Sequence, residues 1–176
     1  LLEQKPNAGK GAAVRRGMLE ARGEYVLFCD ADNATPFEEI EKFWPFVADF
    51  PVIIGSRYLK ESRVVVQQPL VRRLLSRVGN LLVQVMLLPG YPDTQCGFKL
   101  FSAAAADHIF NKLTLERWGF DMEILAIAKL KHLAVKQVPV NWLDQTNSKI
   151  QSSSVFARTL LELFKIRWNL IKGAYR

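Results

Sequence analysis

The sequence predicts an α/β domain with a mostly parallel sheet flanked by helices, and three observations carry that expectation. The apolar run Tyr25-Val26-Leu27-Phe28-Cys29 ends in Asp30-Ala31-Asp32, as a buried strand of a parallel sheet ends at a ligand site. A second short apolar run, 51–55, follows a helical stretch and ends in Gly55-Ser56-Arg57-Tyr58. Helix-like and strand-like segments keep alternating beyond it, which is the rhythm of an α/β sheet.

The elements follow in order. Lys5-Pro6-Asn7-Ala8-Gly9-Lys10-Gly11 is a turn-rich loop leading into a helix over 11–21, with Gly23 as its stop. The strand at 25–29 comes next and is expected at the centre of the sheet. After the acids, Thr35 suits a helix N-cap, Pro36 the first helical position and Glu38 the capping box, so a helix is expected over 37–48. Residues 60–69 lose periodicity and read as a mobile loop. A helix over 70–88 has a basic first half, with Arg72, Arg73 and Arg77, and an apolar second half closed by Pro89-Gly90. The loop Asp93-Thr94-Gln95-Cys96-Gly97-Phe98-Lys99 follows. Ser102 caps a helix over 103–110, another helix covers 120–132, and 135–142 alternates like a strand. Within 155–172, Phe156, Leu160, Leu163, Phe164 and Ile171 recur at helical spacing opposite Arg158, Glu162, Lys165, Asn169 and Lys172. That helix fits either a surface element packed on the domain or one lying on an anionic membrane with Trp168 at the interface.

The chain of 176 residues is the size of one domain, and its 49% hydrophobic and 23% charged content exclude disorder and a coiled coil. A net charge of +7 and a pI near 9.6 point to an anionic partner, whether nucleic acid, a membrane surface or a phosphorylated substrate. Basic residues are not interleaved with aromatic ones in the repeated pattern that RNA binding favours. Cys29 and Cys96 form no disulfide framework; both read as packed thiols under reducing conditions. His108 and His132 lack partners at zinc-ligand spacing. No apolar run is long enough to predict a transmembrane helix and no signal peptide is visible. A chain that starts with Leu1, in a pattern resembling the middle of a domain, reads as a fragment.

The candidate chemistry begins at the acid pair. If the strand stays extended through Ala31, Asp30 and Asp32 project to one side, roughly 7 Å apart. Hard oxygen ligands so placed suit Mg²⁺ or Mn²⁺ bridged to substrate phosphates. An Asp-x-Asp triplet alone is common, and acids ahead of a helix often merely cap it, so the motif gains meaning from its context. Lys10, Arg57, Arg72, Arg73, Arg77 and Lys99 are candidate phosphate contacts. The Gly9-Lys10-Gly11 turn offers backbone N–H groups at a helix start, although it is no P-loop. The Asp93–Gly97 loop suits an acceptor pocket or a capped turn, and Asp121 and Glu123 sit where a helix dipole favours acids.

Taken together, Asn7-Ala8-Gly9-Lys10-Gly11-Ala12-Ala13-Val14-Arg15, Asp30-Ala31-Asp32 with Thr35-Pro36, Gly55-Ser56-Arg57, the Asp93–Lys99 loop and Arg117-Trp118-Gly119-Phe120-Asp121-Met122-Glu123 resemble family-two glycosyltransferases. The similarity is strongest to the polyprenyl-phosphate branch, particularly dolichyl-phosphate β-glucosyltransferases, and it continues through Val138-Pro139-Val140-Asn141-Trp142 and Ser148-Lys149. The resemblance implies a GT-A (Rossmann-like) fold over 1–150, without its first nucleotide-binding strand-helix-strand portion, followed by a basic amphipathic helix over 151–176. It implies an inverting hexosyltransferase at the cytoplasmic face of a membrane, with a nucleotide-sugar donor, UDP-glucose in the leading form, and a polyprenyl or dolichyl phosphate acceptor. A GDP-mannose-dependent relative and a non-catalytic basic binding fragment are the alternatives. By position, Asp30 and Asp32 would hold the metal and the donor diphosphate, joined by Lys10. Arg57, Asp93, Gln95 and Lys99 would line the place where sugar and acceptor phosphate meet. Arg72 and Arg77 would receive the lipid phosphate.

Overall fold

The computed structural model describes residues 2–65, 70–143 and 152–176. Short β-branched and aromatic runs supply the sheet strands: β1 (Tyr25–Cys29), β2 (Val52–Ser56), β4 (Phe98–Ser102) and β5 (Val135–Pro139). Two further short strands, β3 (Val64–Val65) and β6 (Trp142–Leu143), pair in parallel as a separate ribbon. The helices are α1 (Lys10–Glu20), α2 (Leu70–Met86), α3 (Ala103–Phe110), α4 (Phe120–Leu130) and α5 (Ser152–Lys172). The expected alternation of strand and helix is therefore present.

The sheet has the order β1-β4-β2-β5. Strands β1, β2 and β5 point the same way, but β4 runs against them between β1 and β2 and forms antiparallel ladders with both. The strand ahead of the acid pair is thus not central: among the described residues, β1 ends the sheet and bonds only to β4. The fully buried strand is β2, whose apolar residues face both layers.

Alternation along the strands separates two cores. Val26, Phe28, Val52, Ile54 and Phe101 face a layer built on α4, whose residues 120–128 are all buried. Ile53, Phe98 and Leu100 face the other side, where Ile40 and Phe43 pack. Lys99 shares the helix-side face with Phe101, and this apolar layer takes a cation there only because Asp121 of α4 meets it.

Two local expectations fail for identifiable reasons. Residues 37–48 do not form one α-helix but two 3₁₀ turns, Phe37–Lys42 and Trp44–Phe46, because Pro45 cannot continue a helical ladder. The cap position falls on Pro36 with no side-chain cap bond, so Thr35 is not the N-cap; its side chain instead bonds to that of Cys96. Cys29 is exposed rather than packed in the core, whereas Cys96 is buried as expected. The 66–69 part of the expected mobile loop, the Ser148-Lys149 match and the boundary at 150/151 lie outside the described residues.

Helix α5 turns Leu163 and Ile166 inward and leaves Leu161, Phe164, Trp168 and Ile171 exposed at regular spacing. Helix α2 packs beside it and exposes Val78, Leu81 and Val85. Among the described residues no helix is long and apolar enough to cross a membrane.

Candidate active site

The chain leaves the sheet immediately after Cys29. The Asn33 N–H donates to the Asp30 carbonyl at 3.2 Å, Asn33 adopts a left-handed φ of 53°, and Asp32 Oδ1 accepts from the Ala34 N–H at 3.0 Å. Asp30 and Asp32 therefore sit on a tight turn, not on an extended strand, and the spacing reasoned from strand geometry does not apply. The Asp30 N–H donates to the Gly97 carbonyl at 2.9 Å, which ties this turn to the 93–97 loop. A Cβ on Gly97 would overlap the Asp30 carboxylate, so only glycine admits that close approach.

Lys10 reaches the same carboxylate from α1, with Nζ 2.6 Å from Asp30 Oδ1. Its ammonium lies 5.4 to 5.7 Å from the ring centroids of Phe28, Trp118 and Phe120. Two of the N–H groups that the sequence offered at the start of α1 are already engaged within the fold. The Gly11 and Ala12 N–H groups donate to the carbonyls of Arg117 and Glu116, at 3.2 and 3.1 Å. Gly9, with φ of 109°, allows this contact.

The other end of the 93–97 loop is fixed by Arg57. Asp93 Oδ2 accepts from the Arg57 backbone N–H and from Nε, both at 2.8 Å, and Oδ1 accepts from Nη2 at 2.9 Å. The Gln95 N–H adds a bond to Oδ1 at 3.3 Å. Burial pushes the Asp93 carboxyl up, but Arg57, the hydrogen bonds it donates and nearby Lys99 outweigh burial and hold it below its ordinary value. Burial likewise pulls the Arg57 guanidinium down, and Asp93 reverses this and raises it. The guanidinium carbon lies 5.4 Å from the Trp142 ring centroid and 5.8 Å from that of Tyr58.

Lys99 is completely buried, bonded to the Cys96 carbonyl at 2.7 Å and ion-paired with Asp121. Burial raises the Asp121 carboxyl, and Lys99 and Lys10 pull against that rise without cancelling it. Burial also pushes the Cys96 thiol up to about 11, with Asp93 adding to the effect.

The fold thus brings Lys10, Asp30, Asp32, Arg57, Asp93, Gln95 and Lys99 around one loop, at different depths. Asp32 and Gln95 are exposed, Lys10, Asp30 and Arg57 are half-buried, and Asp93 and Lys99 are buried. Arg72 and Arg77 lie on α2; Arg77 is exposed and, among the described residues, joins none of these hydrogen-bonded groups.

Sequence reasoning gave Glu39 no role and did not see what Glu123, Asn141 and Trp142 support. Glu39 is buried and accepts from the Asn141 N–H at 2.9 Å, from Asn141 Nδ2 at 2.8 Å and from Lys42 at 2.6 Å. The Leu143 N–H donates to the Ala34 carbonyl at 2.7 Å and that of Trp142 to the Arg63 carbonyl at 2.8 Å, which sets Trp142 over Arg57. Glu123 is fully buried and accepts from the Thr114 and Leu115 N–H groups, at 3.0 and 2.8 Å, and from the Tyr175 hydroxyl at 2.7 Å. The sequence holds no signal for Glu39 among its acidic neighbours; for Glu123 the signals were its position in a helix's first turn and its place in the 117–123 motif.

Comparison with known proteins places the chain in a family. Residues 1–110 match the model of Glycosyl transferase family 2. The chain is 36% identical to a dolichyl-phosphate beta-glucosyltransferase of Dictyostelium discoideum over 100% of its own length and 56% of that protein's. The human protein of the same name is also 36% identical, over 97% of this chain and 55% of that protein. The chain therefore spans about half the length of the curated relatives it matches. Among solved structures, glucosyl-3-phosphoglycerate synthase from Mycobacterium tuberculosis in complex with phosphoglyceric acid superposes with a TM-score of 0.65, at 17% identity, over 94% of this chain and 56% of that one. The same enzyme with Mn²⁺ and UDP-glucose gives 0.62 at 17% identity, over 94% and 56%. These neighbours have the GT-A fold. A family model matched over residues 1–110 and a relative 36% identical over the whole chain fix the assignment: the chain belongs to glycosyl transferase family 2.

Proposed function

We propose that the chain is the catalytic part of an inverting hexosyltransferase that moves glucose from UDP-glucose onto a dolichyl or related polyprenyl phosphate at a membrane surface. The observation that carries this reading is the bracing of the 93–97 loop, with the Asp30 turn at one end and Arg57 at the other. Such a loop separates a carboxylate pair suited to a donor's cation from a guanidinium suited to an anionic oxygen. The names of the relatives matched across the whole chain support the glucosyl donor and the lipid phosphate acceptor.

Asp30 and Asp32 are the residues that would hold Mg²⁺ or Mn²⁺. Among the described residues no three metal-type side chains gather, so a cation on these two carboxylates would take its other oxygens from the donor diphosphate and water. When bound, the cation supplies Lewis-acid neutralisation of the departing diphosphate. The protein's own work is positioning. Asp93 spends both carboxylate oxygens on Arg57 and Gln95 and is sealed from solvent, so it orients Arg57 rather than acting as a base. A phosphate acceptor is already ionised near neutral pH and needs no strong base. Arg57 Nη1 engages no partner among the described residues and is available to that phosphate. Lys99, held by the Cys96 carbonyl and Asp121, contributes charge from behind the loop.

The apolar stripe of α5, rimmed by Arg158, Lys165 and Lys172, supports contact with an anionic membrane surface. The test supplies the protein with a polyprenyl phosphate in anionic vesicles, Mn²⁺ and either labelled UDP-glucose or labelled GDP-mannose. Labelled lipid is expected from UDP-glucose only, and Asp32→Ala should abolish it. Label from GDP-mannose alone would replace the donor, and none from either would overturn the proposal.

A further inference from the structure

Lys10 occupies an unusual place for a residue beside a cation site. Its Nζ sits 2.6 Å from Asp30 Oδ1, with both side chains about equally half-buried, 30% and 29% exposed. A divalent ion bonded to that oxygen would stand within about 4 Å of the ammonium, where like charges repel strongly. The two positive charges therefore oppose each other at this carboxylate. The backbone of α1 cannot retreat to make room, because the Gly11 and Ala12 N–H groups are fastened to the 116–117 carbonyls. Only the four-carbon stem can move, and it runs among Phe28, Trp118 and Phe120, whose rings favour a cation without binding it covalently or by hydrogen bonds.

We infer that Lys10 and the divalent cation compete for the Asp30 carboxylate, so that the ammonium holds Asp30 before the cation binds and must swing off it when the cation arrives. This rests on the reading of Asp30 as a cation ligand. The aromatic surround stabilises the ammonium in the partly dry site once the ion pair is broken. The exchange keeps positive charge beside Asp30 throughout and frees an ammonium within reach of the phosphate oxygens that accompany the cation. Lys10 is in this account a positioning residue whose pairing sets the affinity of the site for metal.

The test measures Mn²⁺ binding to the chain without donor, from the loss of the free-ion electron paramagnetic resonance signal, for the wild type, Lys10→Met and Asp30→Asn. Removal of a half-exposed ion pair corresponds to about a fivefold change in affinity. Lys10→Met should therefore bind Mn²⁺ about fivefold more tightly, and Asp30→Asn more weakly, than the wild type. Unchanged or weaker binding by Lys10→Met, with Asp30→Asn still impaired, overturns the competition alone. Equal binding by Asp30→Asn and wild type overturns the cation site itself. In the wild-type chain, which removes any question of variant folding, titration with Mg²⁺ should shift the ¹³Cε resonance of Lys10; a signal unmoved at saturation overturns the exchange.

Discussion

Replacing Asp93 with Asn probes the pair that sets the rear of the site. The carboxylate is fully buried and takes the Arg57 N–H, Nε and Nη2 at 2.8, 2.8 and 2.9 Å, with Gln95 N at 3.3 Å. Asparagine keeps the shape but removes the charge, and it turns one acceptor into a donor that must face an N–H of Arg57. Removing one partner of a buried ion pair costs about 3–5 kcal/mol, because the other charge is stranded. The Arg57 side chain remains 21% exposed, so water recovers part of that loss. A destabilisation of about 2–3 kcal/mol is expected. Urea denaturation of the wild type, Asp93→Asn, Arg57→Met and the double variant measures it. The double variant should be less destabilised than the sum of the singles by more than about 1 kcal/mol. Asp93→Asn within about 0.5 kcal/mol of the wild type, or strict additivity in the cycle, would refute the argument that this pair braces the loop.

The same carboxyl predicts the acid limb of stability. Its folded pKa lies below the ordinary 3.8, so its contribution is present above that value and is lost as pH falls through the lower folded value. Below about pH 4 the wild type should therefore lose stability more steeply than Asp93→Asn in pH-dependent urea melts. Gly97→Ala should drive the Asp30 carboxylate from its place, with an overpacking cost of about 1–3 kcal/mol and about a tenfold or greater loss of Mn²⁺ affinity; unchanged affinity would contradict the close packing described. Tyr175→Phe removes the donor to Glu123 Oε1 at 2.7 Å and the acceptor of Asn169 Nδ2 at 3.1 Å. It should cost about 1–2 kcal/mol in a thermal or urea melt, and a silent substitution would mean that the C-terminal tail is not locked by this bond.

The elements legible in the sequence were those specified by short-range signals. Ser102 accepts the Ala105 N–H at 3.3 Å at the start of α3, as its position ahead of an alanine run implied. The apolar runs at β1, β2 and β5 formed strands, and the helical spacing near the C-terminus formed α5. Strand β4 was hidden because Lys99 interrupts Phe98 and Leu100-Phe101 with a charge, and nothing within the segment reveals that Asp121 will neutralise it across the core. Without β4 the sheet looks wholly parallel and β1 looks central. One unseen long-range pair thus altered the order of the sheet.

At the site the residue types were legible but their depths were not. Asp93 read as a pocket residue from the polar, Gly-containing loop around it, Lys99 as a phosphate contact from its ammonium, and both from the family resemblance. Both are instead buried, and each is consumed by a partner distant in sequence, Arg57 or Asp121. Gln95, from the same loop, and Asp32, from the acid triplet, stay at the surface. The division has a physical origin: a buried charge is tolerated only when it is paired, so the residues with the strongest partners become supports, and the residues left facing solvent are those able to meet a ligand. Arg57 stands between the two groups, with Nε and Nη2 committed to Asp93, the guanidinium carbon 5.4 Å from the Trp142 ring centroid and the side chain 21% exposed. An ion pair that fixes one edge of a guanidinium while leaving the other free pre-orders it for an incoming anion, since the entropy of fixing the side chain is lost on folding and not on binding.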